Sequence, residues 1–179
     1  MKIKNAMIDV ETLAVDWNAV VLTLGAVKFD PYTNEVTDKL HIRLDTESQV
    51  SKGRTICEDT LAWWGKQSDS VKEDAFSEDR VDVGKALDIL TEWSSDTHRV
   101  WCQGPSFDFP IMDSLYRQYD RKMPWTFWNQ RDARTVTSLV AEDIKSKINF
   151  DAHNAAEDCV AQAKCVQYVF DKLKISHTF

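Results

Sequence analysis

The order of patterns along the chain predicts a mixed α/β domain: an antiparallel three-strand meander, further strands, and helices covering the sheet. Three observations carry this. Three apolar stretches follow one another near the amino terminus with only short turns between them. The middle of the chain then changes to helical spacing. From residue 98 onward, short strand patterns alternate with helices, the last of which closes the chain.

Each element has its own signal. "NAMIDVE" has mixed apolar character and reads as a strand through residues 4–10. "AVVLTLGAVKFD" (19–30) is rich in valine and leucine, the composition of a largely buried strand. "DPYTNE" supplies turn chemistry. "KLHIRLD" (39–45) alternates Leu40, Ile42 and Leu44 with His41 and Arg43, a half-exposed third strand. "TICEDTLAWWGKQ" and "DSVKEDAF" read as short helices. "VDVGKALDILTEWSS" gathers Val83, Leu87, Leu90 and Trp93 on roughly one helical face. "HRVWCQG" (98–104) is a short apolar strand ending at Gly104-Pro105. The next segment, "SFDFPIMDSLYRQYD", reads as a helix capped by Ser106 with Pro110 in its first turn. A tryptophan-rich loop, room for one more strand, a helix in "RDARTVTSLVAED" and a final helix from Asn154 to Leu173 complete the order.

With 179 residues, no internal repeat and no low-complexity linker, the expectation is one domain over 1–179. No apolar run approaches the roughly 20 residues of a membrane helix. The first residues lack the apolar core of a secretion signal, which points to the cytoplasm, or the host cytoplasm for a phage protein. Cys57, Cys102, Cys159 and Cys165 show neither CxxC pairing nor metal-ligand spacing, which disfavours a structural zinc protein and reads as free thiols in a reducing compartment. A formal charge of −7 argues against a protein that coats duplex DNA by neutralising phosphates. It leaves open a nuclease whose carboxylates gather divalent cations.

Three acidic motifs fit that opening. Asp9 and Glu11 lie two apart on the first strand, so their side chains leave the same face. Side by side they repel, and oxygen-rich pairs of this kind suit Mg²⁺ or Mn²⁺. Asp108 falls in the first turn of the helix after the 98–104 strand, bracketed by Phe107 and Phe109. "HNAAEDC" adds His153 at the mouth of the last helix and Asp158 within it, with Ala155 and Ala156 between, read as clearance for substrate and metal. Each motif alone has a plainer reading: an exposed acidic pair, a carboxylate complementing a helix dipole, a capped surface helix.

Together and in this order, DxE, FD at a strand–helix junction and HxAxxD resemble the histidine-containing DEDD (DEDDh) branch of the DnaQ-like 3′–5′ exonucleases, small phage-encoded and bacterial members above all. The resemblance spans residues 9 to 158. It implies a ribonuclease-H-like sheet, and two Mg²⁺ or Mn²⁺ ions held by Asp9, Glu11, Asp108 and Asp158. It further implies His153 as general base, release of 5′-mononucleotides, and single-stranded DNA or RNA 3′ ends as partners. Thr12 and Leu13 match positions that hold the terminal nucleotide in relatives, although Leu13 equally suits the core. Phe107 is a second candidate for packing the terminal base, and it too suits the core. Arg131 and Arg134 are phosphate-contact candidates, since arginine pairs bidentately with phosphate. Among the seven tryptophans, Trp63, Trp64, Trp93 and Trp101 fall in core patterns, and Trp125 and Trp128 are the stacking candidates. Gln103 stands where many relatives carry asparagine. Members of the branch include dimers, so a homodimer stays open. So do an exoribonuclease restricted to RNA ends or short oligomers and a noncatalytic binding module on the same fold.

Overall fold

A computed structural model describes residues 5–144, 146, 148 and 154–176. Its sheet has five strands in the order β3-β2-β1-β4-β5. β1 (Asn5–Thr12), β2 (Val21–Phe29) and β3 (Val36–Arg43) form the antiparallel meander. β4 (Arg99–Cys102) and β5 (Gln130–Asp132) then add in parallel on the other side of β1. β5 fills the place left for one more strand. The central strand is apolar on both faces, as burial requires: Ala6, Met7, Ile8 and Val10 are all inaccessible or nearly so.

Seven α-helices are described: α1 (Glu47–Ser51), α2 (Glu58–Trp64), α3 (Asp69–Ala75), α4 (Val83–Trp93), α5 (Asp108–Gln118), α6 (Ala133–Thr137) and α7 (Ala155–Lys172). The pleat of β1 divides them. Ile8 and Val10 point into a core with Leu87 and Leu90 of α4 and Met112 and Leu115 of α5. Met7 points the opposite way, onto Cys159, Ala163 and Val166 of α7. Asp9 and Glu11 share Met7's face and therefore lie on the α7 side.

Several local features differ from the sequence expectation. β3 begins at Val36, three residues early, because pairing of Phe29 with Val36 closes the hairpin around the 30–35 turn. Ser106 is not the cap of α5. Gly104 adopts φ +120, and its carbonyl accepts the Phe107 N–H at 2.9 Å, so the turn closes one residue later and Phe107 occupies the cap without a side-chain bond. Helix α1 carries no apolar periodicity to reveal it. Its one buried side chain, Gln49, pairs by both amide atoms with the backbone N–H and C=O of Val21, each at 2.8 Å. Trp63 is not core: it is 40% exposed, whereas Trp64 is buried and donates its indole N–H to the Thr12 carbonyl at 2.9 Å. Successive helical residues point about 100° apart, so both rings cannot enter one core. Among the described residues, no helix is long and apolar enough to cross a membrane.

Candidate active site

The site forms where β1 runs past the end of β4. β4 pairs with β1 only as far as Met7, and beyond that point the edge of β1 is free for side chains. Asp108, buried at the start of α5, takes the Val10 N–H at 3.3 Å. At Glu11/Thr12 the β1–β2 register slips, a bulge of the kind that re-aims side chains beside active sites.

The fourth carboxylate arrives through close packing. Gly25 on β2, paired with Asp9, lies directly beneath the first turn of α7. A methyl group there would stand 2.1 Å from the Ala155 carbonyl carbon and 2.4 Å from the Ala156 nitrogen. Ala155 and Ala156 are wholly buried in this contact. Their small size therefore serves the seating of helix on sheet, and the expectation that they leave clearance for substrate is corrected. Asn154 caps the helix, its Oδ1 accepting the N–H groups of Ala156 and Glu157 at 3.1 Å each. Seated this way, α7 brings Asp158 to the sheet, and Asp9, Glu11 and Asp158 each present a ligand oxygen within 4.8 Å of the others.

Packing carboxylates together out of water makes them resist ionisation. Burial, then Asp108, Glu11 and Asp158, hold Asp9 well above the usual carboxylate range, against an opposing hydrogen bond from Gln162. Burial and the charges of Asp158, Asp108 and Asp74 push Glu11 up to about 8. Burial pushes Asp108 up to about 7, opposed by the Val10 N–H, the Cys102 thiol and the charge of Arg134. Burial and Asp108 in turn keep the Cys102 thiol protonated, so it is the donor of that bond. Among the described residues, no lysine or arginine forms an ion pair with Asp9, Glu11 or Asp108. An all-oxygen donor set of clustered carboxylates fits hard divalent cations.

A cleft of about 460 Å³ opens beside Glu11, lined by Thr12, Thr60, Trp63, Phe107 and others. Thr12 sits at the bulge with its hydroxyl donating to the Ala14 carbonyl at 2.6 Å. Leu13 is placed differently: it is buried with Val20, Leu22 and Trp64 and does not line the cleft, so the core alternative describes it. Arg134 reaches the site's rim, donating to the Gln103 carbonyl at 3.1 Å and lying against Gly104. Arg131 is not brought to the carboxylates. Its guanidinium donates to the carbonyls of Trp128 and Gln130, and the charge acting on it is Arg99, at the start of β4. Trp125 is buried against Phe109. His153 lies outside the described residues.

Two features had no motif to announce them. Gln162 follows Asp158 by one helical turn and donates its amide N–H to Asp9 at 2.8 Å, while its own Oε1 is buried with no partner among the described residues. Asp74 of α3 accepts from Arg43 and, at 2.8 Å, from the Asn154 amide, tying β3 and the α7 cap together. Only the i, i+4 spacing of Asp158 and Gln162 on one face of α7 hinted at either.

The family described as the 3′-5′ exoribonuclease Rv2179c-like domain matches residues 4–170, which takes in every one of these carboxylates. The chain belongs to this family. It is a 3′–5′ exonuclease of the DnaQ-like type. An exodeoxyribonuclease of Enterobacteria phage T4 is 30% identical to this exonuclease, over 90% of the chain and 87% of the phage protein. Two solved structures share its ribonuclease-H-like fold. One is the nuclease domain of 3′hExo, a DEDDh family member bound to rAMP (TM-score 0.66, 12% identity, 95% of this chain and 92% of that one). The other is S. pombe Pop2p in its Mg²⁺- and Mn²⁺-bound form (TM-score 0.65, 10% identity, 94% and 83%).

Proposed function

We propose that this exonuclease removes nucleotides one at a time from the 3′ end of single-stranded nucleic acid, releasing 5′-mononucleotides in a reaction dependent on two divalent cations. The observation that carries the reading is the meeting of Asp9, Glu11 and Asp158 within 4.8 Å beside the buried Asp108, packed so closely that burial and mutual repulsion raise the pKa of Asp9 and Glu11. Asp9, Glu11, Asp108 and Asp158 would hold the cations, Mg²⁺ or Mn²⁺, which when bound would supply positive charge to offset the negative charge developing on the phosphate oxygens. His153 accepts the proton of the attacking water, the role of general base that an imidazole side chain can fill near neutral pH. The leaving group is the 3′-oxygen of the penultimate nucleotide. Thr12, Phe107 and Trp63, around the cleft beside Glu11, hold the terminal nucleotide, and Arg134 at the rim contacts phosphate.

The family match over 4–170 supports a single exonuclease domain. The family description favours RNA ends, whereas the phage relative is an exodeoxyribonuclease. The deciding experiment offers 5′-labelled single-stranded DNA, duplex DNA and RNA with Mg²⁺ or Mn²⁺. Stepwise 3′ shortening is expected, abolished by EDTA and by Asp158→Ala. Equal cleavage of a 3′-blocked strand, or activity that survives Asp158→Ala, would overturn the mechanism. His153→Ala should still bind metal but turn over far more slowly.

A further inference from the structure

Phe127 and Trp128 stand at the amino-terminal end of the edge strand β5 and are 68% and 75% exposed. Their rings lie 4.3 Å apart with planes tilted by 35°, forming a small aromatic platform in solvent. A water-facing Phe–Trp pair buries nothing for the fold, and exposed aromatic pairs of this kind mark contact surfaces. Their surroundings are basic. Arg131 folds back to donate to the Trp128 carbonyl at 2.8 Å, and Asn129 bonds the His98 carbonyl at 2.6 Å, which joins the platform to the start of β4. Burial and then the charge of Arg99, one residue before the Val100–Gln130 pair, lower the pKa of Arg131. Neither arginine has an ion pair among the described residues. In a chain with 29 acids and a net charge of −7, two neighbouring arginines without an ion pair among the described residues, close to a pair of exposed rings, are a local exception.

We propose that Phe127, Trp128, Arg99 and Arg131 form an auxiliary binding surface for a single strand of nucleic acid, separate from the carboxylate site. Rings offer faces for bases irrespective of sequence, and arginines offer planar donors for phosphate. The strand registers separate the two places. Asp132 aligns with Cys102 and Gln130 with Val100, while Val100 pairs with Ala6 on β1. The platform, preceding Gln130, therefore lies toward the sheet end away from Asp9 and Glu11. A dinucleotide seated at the carboxylates does not reach it, but a long strand does. An acidic body repels a polyanion, so a basic aromatic patch also gives a strand somewhere to land. This surface rests on the proposed single-strand specificity, and it predicts a length dependence that the carboxylate site alone does not.

The test compares the wild type with the Phe127→Ser/Trp128→Ser variant. Both rings are exposed, so melting by circular dichroism should be unchanged. kcat/KM on a long 5′-labelled strand, DNA and RNA in separate arms, should fall roughly tenfold through KM, with a dinucleotide cleaved as by the wild type. In EDTA, where no cleavage occurs, anisotropy of the labelled strand should show the same loss of affinity. Arg131→Gln should weaken that binding and flatten its salt dependence. Unchanged long-strand KM and affinity overturn the proposal. So does light scattering that shows the double variant losing a dimer while strand affinity stays intact, since the patch would then serve a second copy of the chain. A wild type inactive on every substrate counts against the proposed function instead, and the EDTA binding measurement still decides the patch.

Discussion

Replacing Gly25 by alanine tests how the site is assembled. The added methyl would lie 2.1 Å from the carbonyl carbon of Ala155, 2.2 Å from its oxygen and 2.4 Å from the Ala156 nitrogen. Ordinary contact begins at 3.4 Å, so the first turn of α7 must withdraw by about 1.3 Å. The obstructing atoms are backbone and cannot rotate away. Gly25 has no left-handed conformation to lose, so the effect is purely steric. Asp158 rides on the displaced turn and leaves the 4.8 Å grouping with Asp9 and Glu11. A misplacement of about 1 Å costs on the order of 10²-fold in rate. Overpacking costs about 1–3 kcal/mol, which at this chain length lowers Tm by several degrees. Nucleotide release from a labelled strand at saturating Mn²⁺ and melting in EDTA measure the two effects. Gly65→Ala is the control, because a methyl there meets only ordinary contacts at 3.5–3.6 Å. A Gly25→Ala protein with wild-type activity and Tm would refute the close seating of α7 on β2.

Three further outcomes are expected. Asp9, Glu11 and Asp108 hold their protons to higher pH folded than unfolded, so the folded state binds more protons between about pH 4 and pH 8. Metal-free stability should therefore be greatest below that window and fall as pH rises through it, and Mn²⁺ should raise Tm more at pH 8 than at pH 5. A flat metal-free Tm across the window would contradict the strained carboxylate cluster. Gln162→Met removes the hydrogen bond to Asp9 at similar volume and should weaken Mn²⁺ binding about tenfold by titration calorimetry, with Tm unchanged or slightly raised because the unpartnered Oε1 is gone. Wild-type Mn²⁺ affinity would dismiss Gln162 as a positioning residue. Trp63→Ala should raise KM for strand cleavage about tenfold and leave Tm nearly unchanged, and an unaltered KM would remove Trp63 from the cleft's function.

The meander was legible because valine-rich runs and alternation report burial of a strand's faces directly. The placement of Asp9 and Glu11 on one face followed from the same alternation. What escaped the sequence depends on contacts across long separations. Gln162 reads as a polar interruption in an apolar helix, and its partner Asp9 lies 153 positions away. Ala155 and Ala156 looked like open space because nothing local announces that Gly25 presses against them. Trp63 and Trp64 carry identical chemistry, and only the rotation of α2 buries Trp64 while leaving Trp63 40% exposed at the cleft. Helix α1 is a single turn held by Gln49 against β2, too short for any periodicity. Arg131 and Arg134 stood three residues apart as equal candidates, and the end of β5 sent them to different places.

The most direct test of a divalent-cation site built by these carboxylates is titration of Mn²⁺ into EDTA-treated, dialysed protein, with free Mn²⁺ followed by electron paramagnetic resonance. A shared site centred on Asp9 predicts saturable uptake of two ions per chain by the wild type and none by Asp9→Ala. Uptake by Asp9→Ala equal to that of the wild type would contradict it.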